Sequence, residues 1–314
     1  MYVRIGYDLL YDVISPHSIL MYLLVHQQRT ADLTQLERII TEPHVRQEIF
    51  SDAFGNRAVR IVAPRGELRL TYDNIIRDSG LPEPTINGAK LHRVEELPTD
   101  CLQFLMSSRY CQVDLLSQMA WDLFGKTPPT WERVQTVMNW VHQNVTFGYE
   151  FASATKTAVD VASDKRGVCR DFQHLAITLL RALNIPARYV TGYLGDIGVP
   201  ANPLPMDFSA WLEVYLGHRW YALDARHNEP RIARIVMARG RDATDVALTT
   251  SFGPTALKSF KVWTDQVPAP HRAAIEDPDP LPSDIVPSDF IPLATPTDFP
   301  VIVPAHAQSA APHA

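Results

Sequence analysis

Cys169 is the residue of this chain whose position most directly suggests chemistry. It follows the turn residue Gly167 and begins a strongly apolar segment that ends near Asn184, a pattern that predicts a helix with the cysteine at its N-terminus. Unpaired N–H groups and the positive end of a helix dipole favour a thiolate, and they can lower a cysteine pKa below its free value of about 8.5. We therefore expect Cys169 to be a nucleophile with a lowered pKa.

A cysteine that attacks an amide or acyl carbonyl needs two partners. An imidazole holds the proton and returns it to the leaving amine, and a carboxylate or amide fixes the tautomer of that imidazole. Because Cys169 opens a predicted helix, these partners should come from the sheet on which the helix packs.

The composition is that of an ordinary globular protein. The 314 residues are 46% apolar and 20% charged, which is sufficient for a sizeable core and about two domains. The net charge of −6 and the absence of a basic run argue against a nucleic-acid partner. No apolar run approaches the roughly 18 residues of a membrane helix. The N-terminal residues contain charges and alternate between apolar and polar side chains, whereas a signal peptide needs a continuous apolar core. We expect a soluble cytoplasmic protein with no membrane partner.

The cysteines suggest neither a disulfide framework nor a metal site. There are three, Cys101, Cys111 and Cys169, and none are spaced as in a zinc knuckle. Cys101 and Cys111 are interpreted as packing or surface thiols. We expect no metal and no organic cofactor.

Residues 1–82 are predicted to form a small β-sandwich-like domain. Apolar residues alternate from Val3 to Leu9, and three further apolar runs are separated by turn residues, at 19–25, 58–63 and 68–76. A short helix is predicted over 34–40. Several strands joined by turns, with no long helix, favour a sandwich.

Residues 83–98 are rich in proline and polar side chains and are predicted to be a linker, and 99–267 form the second predicted domain. It begins with helices, at 100–106, 115–124, 134–141, 157–162 and from Cys169 to about 184. Period-two segments follow, at 187–194, 209–216, 219–223, 232–236 and 258–267. Helices followed by an antiparallel sheet predict an α+β class with the cysteine helix packed on the sheet. The last 47 residues, 268–314, contain eleven prolines and are predicted to be an extended or disordered tail.

Three sequence blocks in the second domain resemble the transglutaminase-like superfamily. They are Gly-Val-Cys-Arg-Asp-Phe at Cys169, Ala-Trp-Leu-Glu-Val-Tyr-Leu at 210–216, and Trp-Tyr-Ala-Leu-Asp ending at Asp224. The resemblance covers about 130–253, and it is closest to a bacterial subgroup that continues as Ala-Arg-His-Asn after the aspartate and whose members carry a similar β-rich N-terminal region. It implies a papain-like fold, with Cys169 as the nucleophile and Asp224 as the orienting acid.

The family histidine directly precedes Ala-Trp, and this position is occupied by Ser209. A serine hydroxyl does not titrate near neutral pH and cannot store the proton. Loss of a triad base commonly costs about 10⁴ to 10⁶ in turnover. The resemblance therefore implies a triad that lacks its base.

Three other histidines could replace the missing base. His174 lies about 140° round the helix from Cys169 and is interpreted as a core group. His218 falls in a predicted hairpin turn, which favours exposure. His227 lies three residues after Asp224 and could approach the rim of the cleft.

Four further side chains near these blocks have structural interpretations beside functional ones. Trp211 and Trp220 are interpreted as core aromatics, Gln173 shares the helix face of Cys169 without an assigned role, and Tyr149 is a candidate for the cleft lining.

The residues leave two functions open. The first is a transglutaminase-like enzyme that forms a thioester on Cys169 and acts on peptide or glutamine-like amides as a peptidase, amidase or acyltransferase, impaired by Ser209. The second is a catalytically inactive pseudoenzyme that binds a peptide or protein partner in the same cleft. A serine introduced to silence an active protein is a third reading, but silencing more often targets the nucleophile, so a natural serine is favoured.

Overall fold

A computed structural model describes residues 1–84, 89–202 and 205–270 of the chain. The strands of these residues are β1 (Tyr2–Val13), β2 (His17–Met21), β3 (Ile40–Glu42), β4 (Gln47–Ser51), β5 (Arg57–Ala63), β6 (Gly66–Arg77), β7 (Thr146–Phe147), β8 (Arg166–Gly167), β9 (Ala187–Tyr193), β10 (Ser209–Leu216), β11 (Arg219–Leu223), β12 (Ile235–Gly240), β13 (Thr249–Ser251) and β14 (Thr255–Val267). The α-helices are α1 (Val113–Phe124), α2 (Trp131–Asn144), α3 (Ala158–Asp164) and α4 (Cys169–Ala182). Short 3₁₀ helices cover Gln27–Asp32, Val94–Glu96, Thr99–Leu105 and Tyr149–Phe151. The predicted tail lies outside the described residues from 271 onward.

Two four-stranded sheets share one hydrophobic core. Their strand orders are β14-β1-β6-β3 and β13-β2-β5-β4. Period-two alternation places Ile5 and Leu9 of the first sheet against Ile19 and Ile61 of the second in this core. The arrangement is the β-sandwich expected from the alternating N-terminal sequence.

The last two strands of the described chain belong to this sandwich. β14 pairs with β1 along its whole length, from Tyr2↔Val267 to Val13↔Thr255, and β13 pairs with β2. From the sequence, the strand at 258–267 was assigned to the predicted domain over 99–267. Period-two alternation predicts a strand but does not reveal which strand it pairs with. The described chain up to Ala269 forms one compact unit, and the domain boundaries inferred from the sequence stay predictions.

The third sheet carries the helical part of the molecule. Its strand order is β11-β10-β9-β12, and α4 packs on β9 and β10 with α1, α2 and α3 around it. Every residue of α4 from Asp171 to Ala182 is buried. A helix that is buried on all sides belongs at the centre of a core, and this is the expected α+β arrangement.

Local signals in the sequence place most of these element ends. The Thr130 hydroxyl accepts a hydrogen bond from the Glu132 N–H at the start of α2. Asn184 ends α4 with a φ of 62°, and Gly217 and His218 form the tight turn between β10 and β11 with φ of 54° and 68°.

The helix predicted over 34–40 is absent. Leu33 forms a bridge with Ile76, and the Thr34 N–H donates to the Ile75 carbonyl of β6 at 2.8 Å. The backbone at the start of this segment therefore completes the sandwich. Among the described residues, no helix is long and apolar enough to cross a membrane.

Candidate active site

Cys169 is the first residue of α4, and the chain before it is tightly fixed. β7 and β8 pair in parallel, with Phe147 opposite Gly167. The Val168 N–H donates to the Asp171 carboxylate at 3.0 Å, which caps the first turn. A Cβ added at Gly167 would lie 2.6 Å from the Asp171 Cβ, so only glycine fits beside this cap. These contacts hold the thiol at the helix N-terminus, where the sequence predicts it.

The protonation state of Cys169 differs from the expectation. Although part of the residue is accessible from the cleft, burial raises the pKa of the Cys169 thiol to about 11. The Asp207 and Asp224 carboxylates also raise it, and the Arg226 guanidinium and the Arg170 N–H oppose them. The prediction of a lowered pKa was wrong because desolvation and two carboxylates outweigh the helix N-terminus. The resting group at neutral pH is the thiol.

Asp224 lies at the end of β11 and is almost fully buried. One carboxylate oxygen, Oδ1, accepts hydrogen bonds from Gln173 Nε2 and from the Arg226 N–H, both at 2.9 Å. The other oxygen, Oδ2, lies 2.8 Å from His227 Nδ1. Burial would raise the pKa of Asp224. The hydrogen bond from His227, the charge of His227 and the charge of Arg234 outweigh burial and lower this pKa to about 2. Asp224 is therefore ionised over the whole neutral range.

Gln173 connects this carboxylate to the cysteine helix. It lies one turn after Cys169, its Nε2 donates to Asp224, and its Oε1 accepts from the Ala225 N–H at 3.2 Å. The sequence placed Gln173 on the Cys169 face without a role. The structure makes it the link that fixes the end of β11 against α4.

Ser209 begins β10 and lies beside Cys169. Both residues border a wide cleft of about 710 Å³ and a second, smaller cavity of about 80 Å³. The serine therefore shares both cavities with the cysteine and supplies a hydroxyl there and no imidazole.

The three alternative histidines have different surroundings. His174 is fully buried between Tyr110 and Tyr189, its Nε2 accepts from the Ala243 N–H at 3.2 Å, and burial lowers its pKa to about 3. His218 lies in the β10–β11 turn, where its ring contacts His92. Neither borders the cavities beside Cys169. His227 does: it lines the smaller cavity together with Cys169 and Ser209.

Of the other side chains considered from the sequence, the two tryptophans pack against neighbouring side chains and the tyrosine borders the site. Trp211 is fully buried against Val190 and Val236, and Trp220 packs on Phe104. Tyr149 is 45% exposed and borders the smaller cavity.

Two charged residues near the thiol were not singled out from the sequence. Asp207 borders both cavities, and Arg226 borders the smaller one with its guanidinium over the Phe147 ring. Both flank the matched blocks, but no spacing rule assigns them to the site. In the described part of the chain, no group of three or more His, Cys, Asp or Glu side chains is arranged to hold a metal ion.

Comparison with known proteins gives consistent matches. The model of the transglutaminase-like superfamily matches residues 118–225. A crystal structure described as a candidate cysteine protease from Cytophaga hutchinsonii is 31% identical, with 84% of this chain and 90% of that chain covered and a TM-score of 0.73. An uncharacterized protein of Mycobacterium leprae is 25% identical over 230 residues, which are 71% of this chain and 82% of that protein. An uncharacterized protein of Mycobacterium tuberculosis is 26% identical over 214 residues, which are 62% of this chain and 68% of that protein.

Proposed function

Because this chain belongs to the transglutaminase-like superfamily, we propose that it forms a thioester on Cys169 with a peptide or glutamine-like amide. The acyl group then passes to water or to an amine, which makes the reaction amide hydrolysis or acyl transfer. The substrate is a peptide or a protein, and the chemistry requires neither a metal nor an organic cofactor. We also propose a cytoplasmic location.

The observation that carries this proposal is the placement of Cys169. Its thiol lies at a helix N-terminus and borders a cleft of about 710 Å³, and Asp224 is hydrogen-bonded to Gln173 of the same helix. First-turn N–H groups of a helix lack intrahelical acceptors and can stabilise the oxyanion that forms when a thiolate adds to a carbonyl.

The lining of the wide cleft supports a peptide substrate. Much of this lining is formed by small, uncharged residues, including Ala152, Ser153, Ala243 and Thr244. Small side chains leave room for an extended backbone beside the thiol.

The substitution at position 209 bears on turnover. A hydroxyl at Ser209 cannot carry a proton from the thiol to the leaving amine, and a site with no other proton carrier would lose about 10⁴ to 10⁶ in turnover. Relative to a site with histidine at this position, we propose an impaired enzyme.

A pseudoenzyme is the second candidate, and the state of Cys169 favours it. A thiol with a pKa raised to about 11 is almost entirely protonated at neutral pH, and position 209 offers no base. In this case peptides would bind without being cleaved, and Cys169→Ala would leave their affinity unchanged.

The experiment compares the wild-type chain with Cys169→Ala. We expect a thiol-reactive acyl probe to label Cys169 in the wild type alone and a panel of peptide amides and esters to be hydrolysed only by the wild type. Cys101 and Cys111 are buried and give little background. No labelling of Cys169 together with no hydrolysis across the panel would contradict the enzyme proposal and favour the pseudoenzyme. Hydrolysis of esters without amides would indicate a nucleophile that lacks its acid.

A further inference from the structure

We propose that His227, oriented by Asp224, is the proton carrier for Cys169 in place of the histidine absent from position 209. This inference rests on the proposed function of Cys169 and deepens it. It assigns the base of the site to the loop after β11 instead of to β10.

The contact between His227 and Asp224 selects the tautomer that a base needs. His227 Nδ1 lies 2.8 Å from Asp224 Oδ2. An ionised carboxylate can only accept a hydrogen bond, so Nδ1 carries the proton and Nε2 of the neutral ring has a lone pair. Nε2 makes no hydrogen bond to any residue in 1–84, 89–202 or 205–270. The ring therefore has its orienting partner and a vacant basic nitrogen.

The turn after β11 brings His227 to the cavity that Ser209 borders. The pairing of β10 with β11 ends at Leu212↔Leu223, and the chain then turns, with the Asn228 N–H donating to the Asp224 carbonyl at 2.8 Å. There Ser209, Arg226 and His227 border one cavity with Cys169, and its volume is only about 80 Å³. A serine occupies much less space than a histidine, so the imidazole from the neighbouring loop can occupy this region.

The elements that carry the two groups are joined to each other. The His227 and Arg226 N–H groups both bond to Asp224 Oδ1, at 3.3 and 2.9 Å, which fixes the loop. Gln173 donates to the same oxygen from the helix that begins with Cys169. The nucleophile and the loop of the imidazole are thus held to a common carboxylate.

The other charged groups that border the small cavity are two carboxylates, Asp196 and Asp207, and two arginines, Arg226 and Arg231. An arginine does not release a proton near neutral pH, and Asp207 raises the pKa of the thiol. His227 is the histidine that borders this cavity among the described residues.

The reaction balances with one proton moving between two groups. As Cys169 Sγ bonds to the substrate carbonyl carbon, its proton passes to His227 Nε2 and the carbonyl π electrons move to oxygen. Collapse of this intermediate breaks the C–N bond, and the imidazolium returns the proton to the leaving amine. Water or a second amine then adds to the thioester while His227 takes its proton, the C–S bond breaks, and the proton returns to the sulfur.

The test measures alkylation of Cys169 by iodoacetamide as a function of pH, with the labelled peptide identified by mass spectrometry. In the wild type we expect two regimes: thiolate reaction at high pH and a plateau at lower pH where neutral His227 removes the proton during attack. His227→Gln should lose the plateau, so that its rate falls tenfold per pH unit below the thiol pKa. General-base assistance contributes about 10² to 10⁴, and we expect at least about a tenfold loss near pH 7 with an unchanged rate near pH 11.

Two further variants separate a proton carrier from a structural side chain. Asp224→Asn keeps the shape of the site, but its amide can donate to Nδ1 and shift the proton to Nε2, so it should lose the same plateau; this tautomer change costs about 10⁴ in a serine protease triad. His218→Gln removes a histidine of the β10–β11 turn, outside the site, and should keep the wild-type profile. A thiolate rate that still rises only toward the raised pKa of about 11, far above the value of about 8.5 for a free cysteine, shows that a variant is folded around Cys169.

The proposal is overturned if His227→Gln has the wild-type profile. It is also overturned if Ser209→His creates a plateau that the wild type lacks, since position 209 would then be the empty place of the base. Alkylation needs no substrate, so this result is independent of whether the peptide panel is hydrolysed. A plateau without amide turnover would support the role of His227 and contradict the proposed substrate class.

Discussion

At the scale of single residues, Asp224 joins three parts of the site. It accepts hydrogen bonds from Gln173 of α4, from the Arg226 backbone and from the His227 ring. A buried carboxylate is stable only when its oxygens are paired in this way. The residue that orients the proposed base therefore also holds β11 against the cysteine helix.

The low pKa of Asp224 predicts a pH-dependent contribution to folding. Its folded-state pKa of about 2 is below the unfolded value of about 3.9, so its stabilisation is present above pH 4 and is lost as the pH falls through 2. The difference between the two values corresponds to about 2 to 3 kcal/mol. We expect the loss of unfolding free energy in Asp224→Asn to be about 2 to 3 kcal/mol larger near pH 7 than near pH 1.5, as measured by urea titration.

The control for that experiment is Asp122→Asn, which removes an exposed carboxylate from α1. Its effect on unfolding should be small at both pH values. Equal losses for Asp224→Asn at pH 7 and at pH 1.5 would mean that the ionised carboxylate does not stabilise the fold.

Cys169, Ser209 and Asp224 were assigned to the site from the sequence because their flanking blocks match a known order, and their catalytic roles stay predictions. The protonation of the thiol could not be read from the sequence, since it depends on burial and on Asp207 and Asp224, which come from other parts of the chain. His227 lies three residues from Asp224, but only the loop conformation shows that its ring turns back onto the carboxylate.

At the scale of secondary structure, local signals define the ends of the helices around the site. Thr130 and Thr157 accept hydrogen bonds from N–H groups of the first turns of α2 and α3. Such contacts depend on residues close in sequence, and the starts of these helices were predicted to within a few residues. The pairing of β14 with β1 joins residues more than 240 positions apart, and no local pattern reports it.

The N-cap of α2 gives a prediction for stability. Thr130→Ala removes the hydroxyl that accepts from the Glu132 N–H, and we expect it to lower the free energy of unfolding by about 1 kcal/mol. The matched variant is Thr136→Ala in the same helix, where the hydroxyl donates to the Glu132 carbonyl one turn back. Alanine is the better helix former there, so this variant should be neutral or slightly stabilising. Equal losses in both variants, measured by urea unfolding, would contradict the capping role.

At the scale of the whole molecule, the sandwich and the third sheet are packed into one unit. Tyr193 of β9 and Ile235 and Met237 of β12 lie in the same hydrophobic core as Ile5 and Leu9 of β1. A change in the sandwich core is therefore expected to reach the sheet on which the cysteine helix packs.

Gly6 of β1 tests this coupling. A Cβ at this position would lie 2.3 Å from the Tyr72 carbonyl oxygen and 2.4 Å from the Trp263 ring, so a side chain forces β6 or β14 to move. We expect Gly6→Val to lower the free energy of unfolding by about 1 to 3 kcal/mol. The change in tryptophan fluorescence on unfolding and the exposure of the buried Cys111 to alkylation should occur at the same urea concentration.

The control is Arg4→Gln, two residues away on the same strand, where an exposed ion pair with Asp73 and the contact of the guanidinium with the Trp263 ring are lost. This change should cost at most about 1 kcal/mol. If Cys111 became exposed only at a urea concentration well above that of the fluorescence change, the molecule would consist of two independently folding parts.

The return of the chain to the sandwich constrains how this molecule can move. The polypeptide leaves the sandwich after β6, builds the helices and the third sheet, and re-enters as β13 and β14 beside β2 and β1. The cysteine-bearing part is thus an insertion attached by two chain crossings, in contrast to a module appended through one hinge. A rigid swing that opened the cleft would have to bend both crossings at once.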